Sequence, residues 1–211
     1  MKKLSLFLCM MLLSCVATMF VTSCGSDNDD PVVPKKDNAT AVEMQACLYI
    51  PENVLNYFDV VVTDNTGNQT TLTTSNTEEN ATMSFGNLNQ TGKDMMLNAI
   101  SNTGTKLRVF KFNKYTLTSF PVTMDYKLSA TAKSDVTLGE SDKIATCVFW
   151  DVDVKNNSKE NSWERFSLNG SIASAVLSGK NWDAIKTKRN LFDHNLSLNF
   201  SNAKSLSGSF Q

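Results

Sequence analysis

Histidine is almost absent from this chain of 211 residues, in which His194 is the single example. One imidazole cannot build a multi-histidine zinc site, and a nucleophilic triad would have to pair it with the adjacent Asp193. Consecutive residues of a strand point to opposite faces, so Asp193 is badly placed to orient that ring. The patterns of a nucleophile elbow, a zinc-protease helix and a phosphate-binding loop are also missing. We therefore expect no enzymatic activity, cofactor or metal ion, and we interpret His194 as a surface residue.

An excess of either charge is missing as well, since the chain has 20 lysine and arginine residues against 21 aspartate and glutamate residues. Nucleic-acid binding requires a clustered basic face that neutralises phosphates. We therefore expect no nucleic-acid partner.

Only the start of the chain has a long hydrophobic run. Two lysines precede an apolar stretch over residues 4–21, and the small residues Thr22 and Ser23 then lead to Cys24. This layout is typical of a secretory signal. A membrane-spanning anchor is disfavoured because residues 25–30 are polar and acidic and contain no basic stop-transfer flank.

The four residues Val21-Thr22-Ser23-Cys24 resemble the lipobox of bacterial lipoproteins, in which the cysteine is acylated and the preceding segment is removed. Cys15 follows a similar pattern, but cleavage there would leave an apolar mature N-terminus. The resemblance implies a signal peptide over residues 1–23 and lipid on Cys24 that anchors the protein to a membrane. Each buried methylene of such a lipid contributes about 0.8 kcal/mol. The alternative is an ordinary signal peptide with an incidental cysteine.

An acidic segment follows the proposed lipidation site. Ser26-Asp27-Asn28-Asp29-Asp30 resembles the short export signal of surface-exposed lipoproteins of the Bacteroidota, although Asn28 interrupts the run of aspartates. The resemblance implies an outer-membrane lipoprotein that faces the cell exterior. The alternative is a solvated tether on a protein that faces the periplasm. In either case residues 24–39 have no apolar period and are expected to be a disordered, acidic and proline-containing tether.

The remaining residues, 40–211, are long enough for one domain with a sizeable core. Apolar and polar residues alternate in short segments, which is the period of half-buried strands. These segments are 42–50, 58–62, 96–101, 106–112, 122–128, 144–154 and 196–200, and the threonine-rich segment 70–74 is a further predicted strand that returns after 58–62. Turn residues separate several of them, notably 64–67 and 102–104, which predict hairpins.

Helical patterns are short and confined to residues 182–188 and 172–177. We therefore predict an all-β fold, an antiparallel β-sandwich that is immunoglobulin-like, with one or two short helices. The hairpin from Tyr57 to Gly67 is also similar to hairpins of small β-sandwich lipoproteins of the Bacteroidota.

Signal-peptide removal and lipidation reduce the number of cysteines that are available for a disulfide. Two cysteines leave with the signal and Cys24 is acylated, so Cys47 and Cys147 remain as a pair in an oxidising compartment. Strand parity places both off the most apolar faces, which suits a disulfide between neighbouring strands of one sheet. Such a bridge would close a loop of about 100 residues, worth about 4.7 kcal/mol in the chain-entropy model. Two separate half-buried thiols are the alternative.

Candidate ligand-binding residues are aromatic or acidic. Trp150 alternates with core valines and is predicted to be buried, whereas Trp163 and Trp182 have polar neighbours and could stack on a sugar or cap the sheet edge. Asp151 and Asp153 share a strand face about 7 Å apart. That spacing suits a glycosidase pair, but parallel side chains on one strand do not converge on a substrate, so solvated edge residues are the alternative.

These observations favour a non-catalytic surface lipoprotein that binds a glycan or a protein of the cell envelope. The alternative is a structural or accessory subunit of a surface fibre or envelope complex, because an open sheet edge can accept a strand from a neighbour. A small hydrolase that depends on carboxylates ranks last.

Overall fold

The computed structural model describes residues 39–82, 90–157, 163–168, 176–187 and 192–210. The predictions of a signal peptide, a lipidated Cys24 and a tether fall on residues 1–39, and all but the last of these residues lie outside the described ranges. Among the described residues, no helix combines the length and the apolar character needed to cross a bilayer.

The strands are β1 (Val42–Pro51), β2 (Phe58–Thr63), β3 (Gln69–Thr71), β4 (Glu78–Glu79), β5 (Leu107–Lys111), β6 (Tyr115–Leu117), β7 (Val122–Ala132), β8 (Lys143–Ala145), β9 (Phe149–Asn156), β10 (Trp163–Leu168), β11 (Val176–Ser178), β12 (Phe192–Asn202) and β13 (Ser205–Phe210). The α-helices are α1 (Glu52–Tyr57), α2 (Gln90–Thr103) and α3 (Trp182–Lys186).

The strands pair in antiparallel sheets. The first sheet has the order β10-β9-β1-β5-β4, with β6 also beside β1, and the second has the order β13-β12-β7-β2-β3. A small pair, β8 with β11, lies apart from both. The prediction of an all-β, antiparallel protein is therefore confirmed.

The main core is formed by side chains from one face of each sheet. On β1 and β7 every second residue is buried, among them Leu48 and Tyr126, and these residues belong to one apolar cluster. Trp150 is fully buried in that cluster, as its alternation with valines predicted. Complete burial of a large apolar side chain contributes about 1.5–3 kcal/mol, so this alternation supplies much of the driving force for pairing the sheets.

Helix α2 covers the opposite face of the first sheet. Its buried residues Met96 and Ile100 join Cys147 and Phe149 in a second apolar cluster. The aromatic ring of Tyr49 stacks on Phe149 there, with ring centroids 4.2 Å apart. This sheet is therefore apolar on part of both faces, which explains why odd-numbered positions on β1 and before β9 are also buried.

The predicted strand over residues 96–101 is wrong, because this segment lies within α2. Its buried residues Met96, Ala99 and Ile100 have the spacing of one helical face. Gly104, with φ of +62°, then ends the helix, and its N–H donates to the carbonyl of Ile100 at 2.8 Å. The turn signal at 102–104 is thus a helix C-cap rather than a hairpin turn.

The hairpin between β2 and β3 forms as predicted. Gly67 has a φ of +86°, a left-handed conformation that glycine adopts without steric cost. One carboxylate oxygen of Asp64 accepts the N–H of Thr66 at 2.9 Å and that of Asn68 at 3.0 Å. Desolvation alone would raise the pKa of Asp64, but the hydrogen bonds from Thr66 and Asn68 outweigh it and lower the pKa.

Helix α3 agrees with the predicted helix over residues 182–188. The other predicted helix, over residues 172–177, is not confirmed, because its last residues belong to β11 and the rest lie outside the described ranges. Helix α1 was not predicted. It follows β1 directly and carries residues that become important below.

Candidate functional site

Trp182 was expected either to stack on a ligand or to cap the sheet edge, and the structure buries it. This residue begins α3 and is only 2% exposed. Its indole N–H donates to the carbonyl of Val136 at 3.2 Å, and its ring meets Phe58 edge-on with centroids 5.6 Å apart. Because α3 turns this side chain into the core, Trp182 cannot be a platform for a ligand.

Trp163 lies on β10, the edge strand of the first sheet, opposite Lys155 of β9. Its side chain is outside the described part of the structure, so its role as a ligand contact stays a prediction.

Asp151 and Asp153 occupy one face of β9, as predicted, but differ in exposure. Asp151 is 2% exposed, and Asp153 is partly exposed. Asp151 follows Phe149 on the same face of β9, and Phe149 belongs to the apolar cluster that α2 covers, whereas Asp153 lies further along the strand. Asp151 therefore cannot contact a ligand or serve as one of two catalytic carboxylates. Asp153 as a ligand contact stays a prediction.

No disulfide joins Cys47 and Cys147, and both side chains are buried. Cys47 stands opposite Asp151, which is four residues from Cys147 along the chain. That offset corresponds to about 13 Å in extended backbone, whereas bridged cysteines have Cα atoms about 4.4–6.8 Å apart. The parity argument placed the cysteines on the same face of neighbouring segments, but the register separates them.

The surroundings of Cys147 are apolar. Its thiol donates to the sulfur of Met96 in α2 at 3.0 Å. Burial raises the pKa of Cys147 to about 12. The described residues contain no group of three or more histidine, cysteine, aspartate or glutamate side chains that could hold a metal ion. His194 lies on β12 and is partly exposed.

A polar cleft opens where β1 ends. Three segments line it. They are the exposed side of α1 (Glu52, Asn53, Asn56 and Tyr57), residues 102–106 at and after the end of α2, and residues 141–143, which end on the first residue of β8. The cleft has a volume of about 670 Å³, and it is a polar depression that is widely open to solvent. We refer to it as the α1 cleft.

Backbone hydrogen bonds hold two of these segments together. The N–H of Glu52 donates to the carbonyl of Lys106 at 2.8 Å, and the N–H of Asn53 donates to the hydroxyl of Thr105 at 3.0 Å. These bonds satisfy donors at the start of α1 that have no partner within the helix. They also fix α1 against the turn that follows α2, so the cleft has a defined shape.

Asparagine is the commonest side chain of the α1 cleft. Asn56 and Asn102 are exposed, and neither amide bonds to another described residue. Asn53 donates a long hydrogen bond to the carbonyl of Lys143 at 3.5 Å. Because a primary amide has both donors and an acceptor, two exposed amides give the cleft mixed hydrogen-bonding capacity.

Tyr57 provides an aromatic wall. This residue ends α1 and is partly exposed. Its ring packs edge-on against Trp182, with centroids 5.9 Å apart and an angle of 75° between the planes. Trp182 therefore packs against the ring of Tyr57 from the core side and restrains its position in the cleft wall.

The charges of the α1 cleft balance. Glu52 pairs with Arg108 at 3.2 Å, and Lys106 pairs with Glu79 at 2.9 Å. One carboxylate oxygen of Asp142 accepts the N–H of Gly139 at 2.8 Å. Lys143 adds one positive charge beside Asp142, so the cleft walls contain two acidic and two basic side chains.

Sequence reasoning missed the α1 cleft entirely. Its residues come from three distant segments, and two of these belong to helices that were not predicted. The available signal was the concentration of asparagine around residues 53–56 and 102, which resembled ordinary turn polarity.

Comparison of this chain with protein-family models, with curated proteins and with solved structures gives no match.

Proposed function

We propose that this protein is a non-catalytic, lipid-anchored module of the outer membrane that binds a glycan at the cell surface. The two antiparallel sheets form an immunoglobulin-like β-sandwich in this proposal, and the α1 cleft is the binding site. The observation that carries the proposal is the combination in one cleft of exposed amides, hydroxyl groups and a fixed tyrosine ring. Sugars present hydroxyl groups and an apolar ring face, which such a surface complements.

The position of the α1 cleft supports this proposal. Strand β1 has ten residues, and the predicted tether precedes its first residue, Val42, whereas the cleft begins directly after its last residue, Pro51. Ten extended residues span about 30 Å. The α1 cleft and the point where the predicted tether joins the domain therefore lie at opposite ends of β1.

The glycan-binding proposal can be tested with the full chain purified in detergent and applied to a glycan array. We expect reproducible binding to at least one glycan. Binding to no glycan at all would refute the proposed function. The anchor is tested separately by metabolic labelling with palmitate. Label should be incorporated into the wild type and lost in Cys24→Ala, and equal labelling of both would refute lipidation at that cysteine.

A second candidate function is a subunit of a surface fibre or envelope complex. It is favoured by β13, which is an edge strand of the second sheet and pairs with β12 alone among the described strands. An open edge can accept a strand from another chain. This function predicts concentration-dependent oligomers of the detergent-solubilised chain in light scattering, and one chain per micelle at every concentration would argue against it.

A further inference from the structure

We infer that the α1 cleft selects neutral sugars over acidic sugars, with Tyr57 as the stacking surface and the amides of Asn56 and Asn102 as hydrogen-bonding groups. The inference rests on the proposed glycan-binding function and names the class of glycan. Three features of the cleft carry it, namely the exposed amides, the charge balance and the support behind Tyr57.

The amides suit hydroxyl groups better than anions. Each side chain of Asn56 and Asn102 offers two N–H donors and one carbonyl acceptor. A sugar hydroxyl donates and accepts, so it can use both sides of an amide, whereas a carboxylate or sulfate can only accept. Both side chains are exposed and make no bond to another described residue, which leaves this capacity available to a ligand.

The charges of the α1 cleft disfavour an acidic ligand. No arginine is among the described residues that line it, although arginine is the residue best suited to bidentate binding of carboxylate or sulfate. Lys106 is already bound to Glu79, and Glu52 is already bound to Arg108. The remaining charged side chains, Lys143 and Asp142, have opposite signs, so an anion would find no excess of positive charge in the cleft.

Tyr57 offers an apolar surface whose position is set before binding. The edge-on contact with the buried ring of Trp182 restrains it from behind. A side chain that is ordered in the unbound protein loses less conformational entropy when a ligand binds. Stacking of a sugar ring on Tyr57 would then orient its hydroxyl groups towards the amides of the flanking helices.

The test compares neutral and acidic polysaccharides as ligands for the full chain in detergent. Dextran, mannan and arabinan form the neutral set, and polygalacturonate and hyaluronate form the acidic set. We expect binding from the neutral set only, with little change between low and high salt. Asn102→Ala, and separately Tyr57→Ala, should raise the Kd about tenfold, which corresponds to about 1.4 kcal/mol.

Asn98→Ala is the matched control for Asn102→Ala. Both residues are exposed asparagines of α2, but Asn98 does not line the cleft. Its substitution should leave the Kd unchanged. Tyr57→Ala could also disturb the contact with Trp182, so the double variant Asn56→Ala, Asn102→Ala provides an independent test on exposed positions that do not contribute to the core.

Two outcomes would overturn the inference while leaving the proposed function intact. One is binding confined to the acidic set that weakens with salt and with Lys143→Ala. The other is neutral binding that survives both Tyr57→Ala and the double asparagine variant, which would place the site elsewhere. Failure to bind either set, together with an empty glycan array, would instead refute the proposed function itself.

Discussion

Trp182 contacts Tyr57 and Phe58 at once, with ring centroids 5.9 and 5.6 Å away and interplanar angles of 75° and 82°. The two contacted residues are consecutive, at the junction of α1 and β2, and they differ in exposure. Tyr57 borders the α1 cleft, whereas Phe58 is buried in the main core. The indole therefore connects the packing of the core with one wall of the cleft.

Truncation of this indole should be strongly destabilising. Because Trp182 is 2% exposed, we expect Trp182→Ala to lower the free energy of unfolding by about 3–5 kcal/mol. Trp182→Phe keeps much of the ring contact and loses the hydrogen bond to Val136, so it should cost less. Urea denaturation followed by circular dichroism measures both. An unchanged midpoint for Trp182→Ala would contradict the buried position.

Arg108 should be a second sensitive position. Its guanidinium donates to the hydroxyl of Thr77 at 3.0 Å, to the carbonyls of Thr74 and Thr77, and to Glu52 at 3.2 Å. It thereby ties the segment after β3 to the first sheet and to the start of α1. Arg108→Met should lower the free energy of unfolding by about 2–4 kcal/mol, because the buried Thr77 and the partly buried Glu52 both lose a charged partner.

Two further variants make the Arg108 prediction specific. Arg108→Lys should not restore stability, because an ammonium group cannot reproduce the planar fork of donors. Lys106→Met removes an exposed ion pair with Glu79 and should change stability by no more than about 1 kcal/mol. Similar losses from Arg108→Met and Lys106→Met would show that the guanidinium contacts contribute little.

Asp64 should make a pH-dependent contribution to stability. Since its pKa is lowered in the folded protein, its contribution is present above the unfolded pKa of about 3.9 and is lost as the pH falls through the folded pKa. Asp64→Ala should cost about 1–2 kcal/mol at neutral pH, from the lost charge-assisted hydrogen bonds. Chemical denaturation of both proteins at several pH values measures this difference. It should shrink below about pH 4, and a constant difference would contradict the lowered pKa.

Cys147 should resist alkylation in the folded protein. The thiolate is the reactive species, and burial raises the pKa of this thiol to about 12. Iodoacetamide at mildly alkaline pH should therefore modify Cys147 only after denaturation, as measured by mass spectrometry of its peptide. The same digest, left unreduced, should contain no cross-linked pair of peptides with Cys47 and Cys147. Detection of that pair would restore the disulfide predicted from the sequence.

The local periods of the sequence predicted much of the fold. Alternation along β1 and β7 identified both strands and their buried faces, and it placed Trp150 in the core. The turn before Gly67 was also recognisable, because its residue types suit a positive φ and a side-chain cap. These features depend on neighbours within a few residues, which a single sequence displays directly.

Features that depend on distant residues were not predictable in the same way. The register of β1 against β9 separates Cys47 from Cys147, although parity alone made them compatible with a bridge. The burial of Trp182 depends on which side of the short helix α3 meets the core. The α1 cleft depends on hydrogen bonds from the N–H groups of Glu52 and Asn53 to the turn after α2. Contacts between segments so far apart in sequence leave no periodic pattern of residues.

Strand β1 also determines how the protein would respond to mechanical load. In the proposed arrangement a bound glycan applies force at the α1 cleft. The lipid anchor applies the opposing force through the tether at the start of β1. Strand β5 begins at the cleft and pairs antiparallel with β1 from Cys47 to Pro51. Where force enters through residues 102–106, which precede β5, the two strands would be loaded in shear along their length, so that their hydrogen bonds resist together instead of opening one after another. A bound surface could thus be held against flow without peeling the domain open from one end.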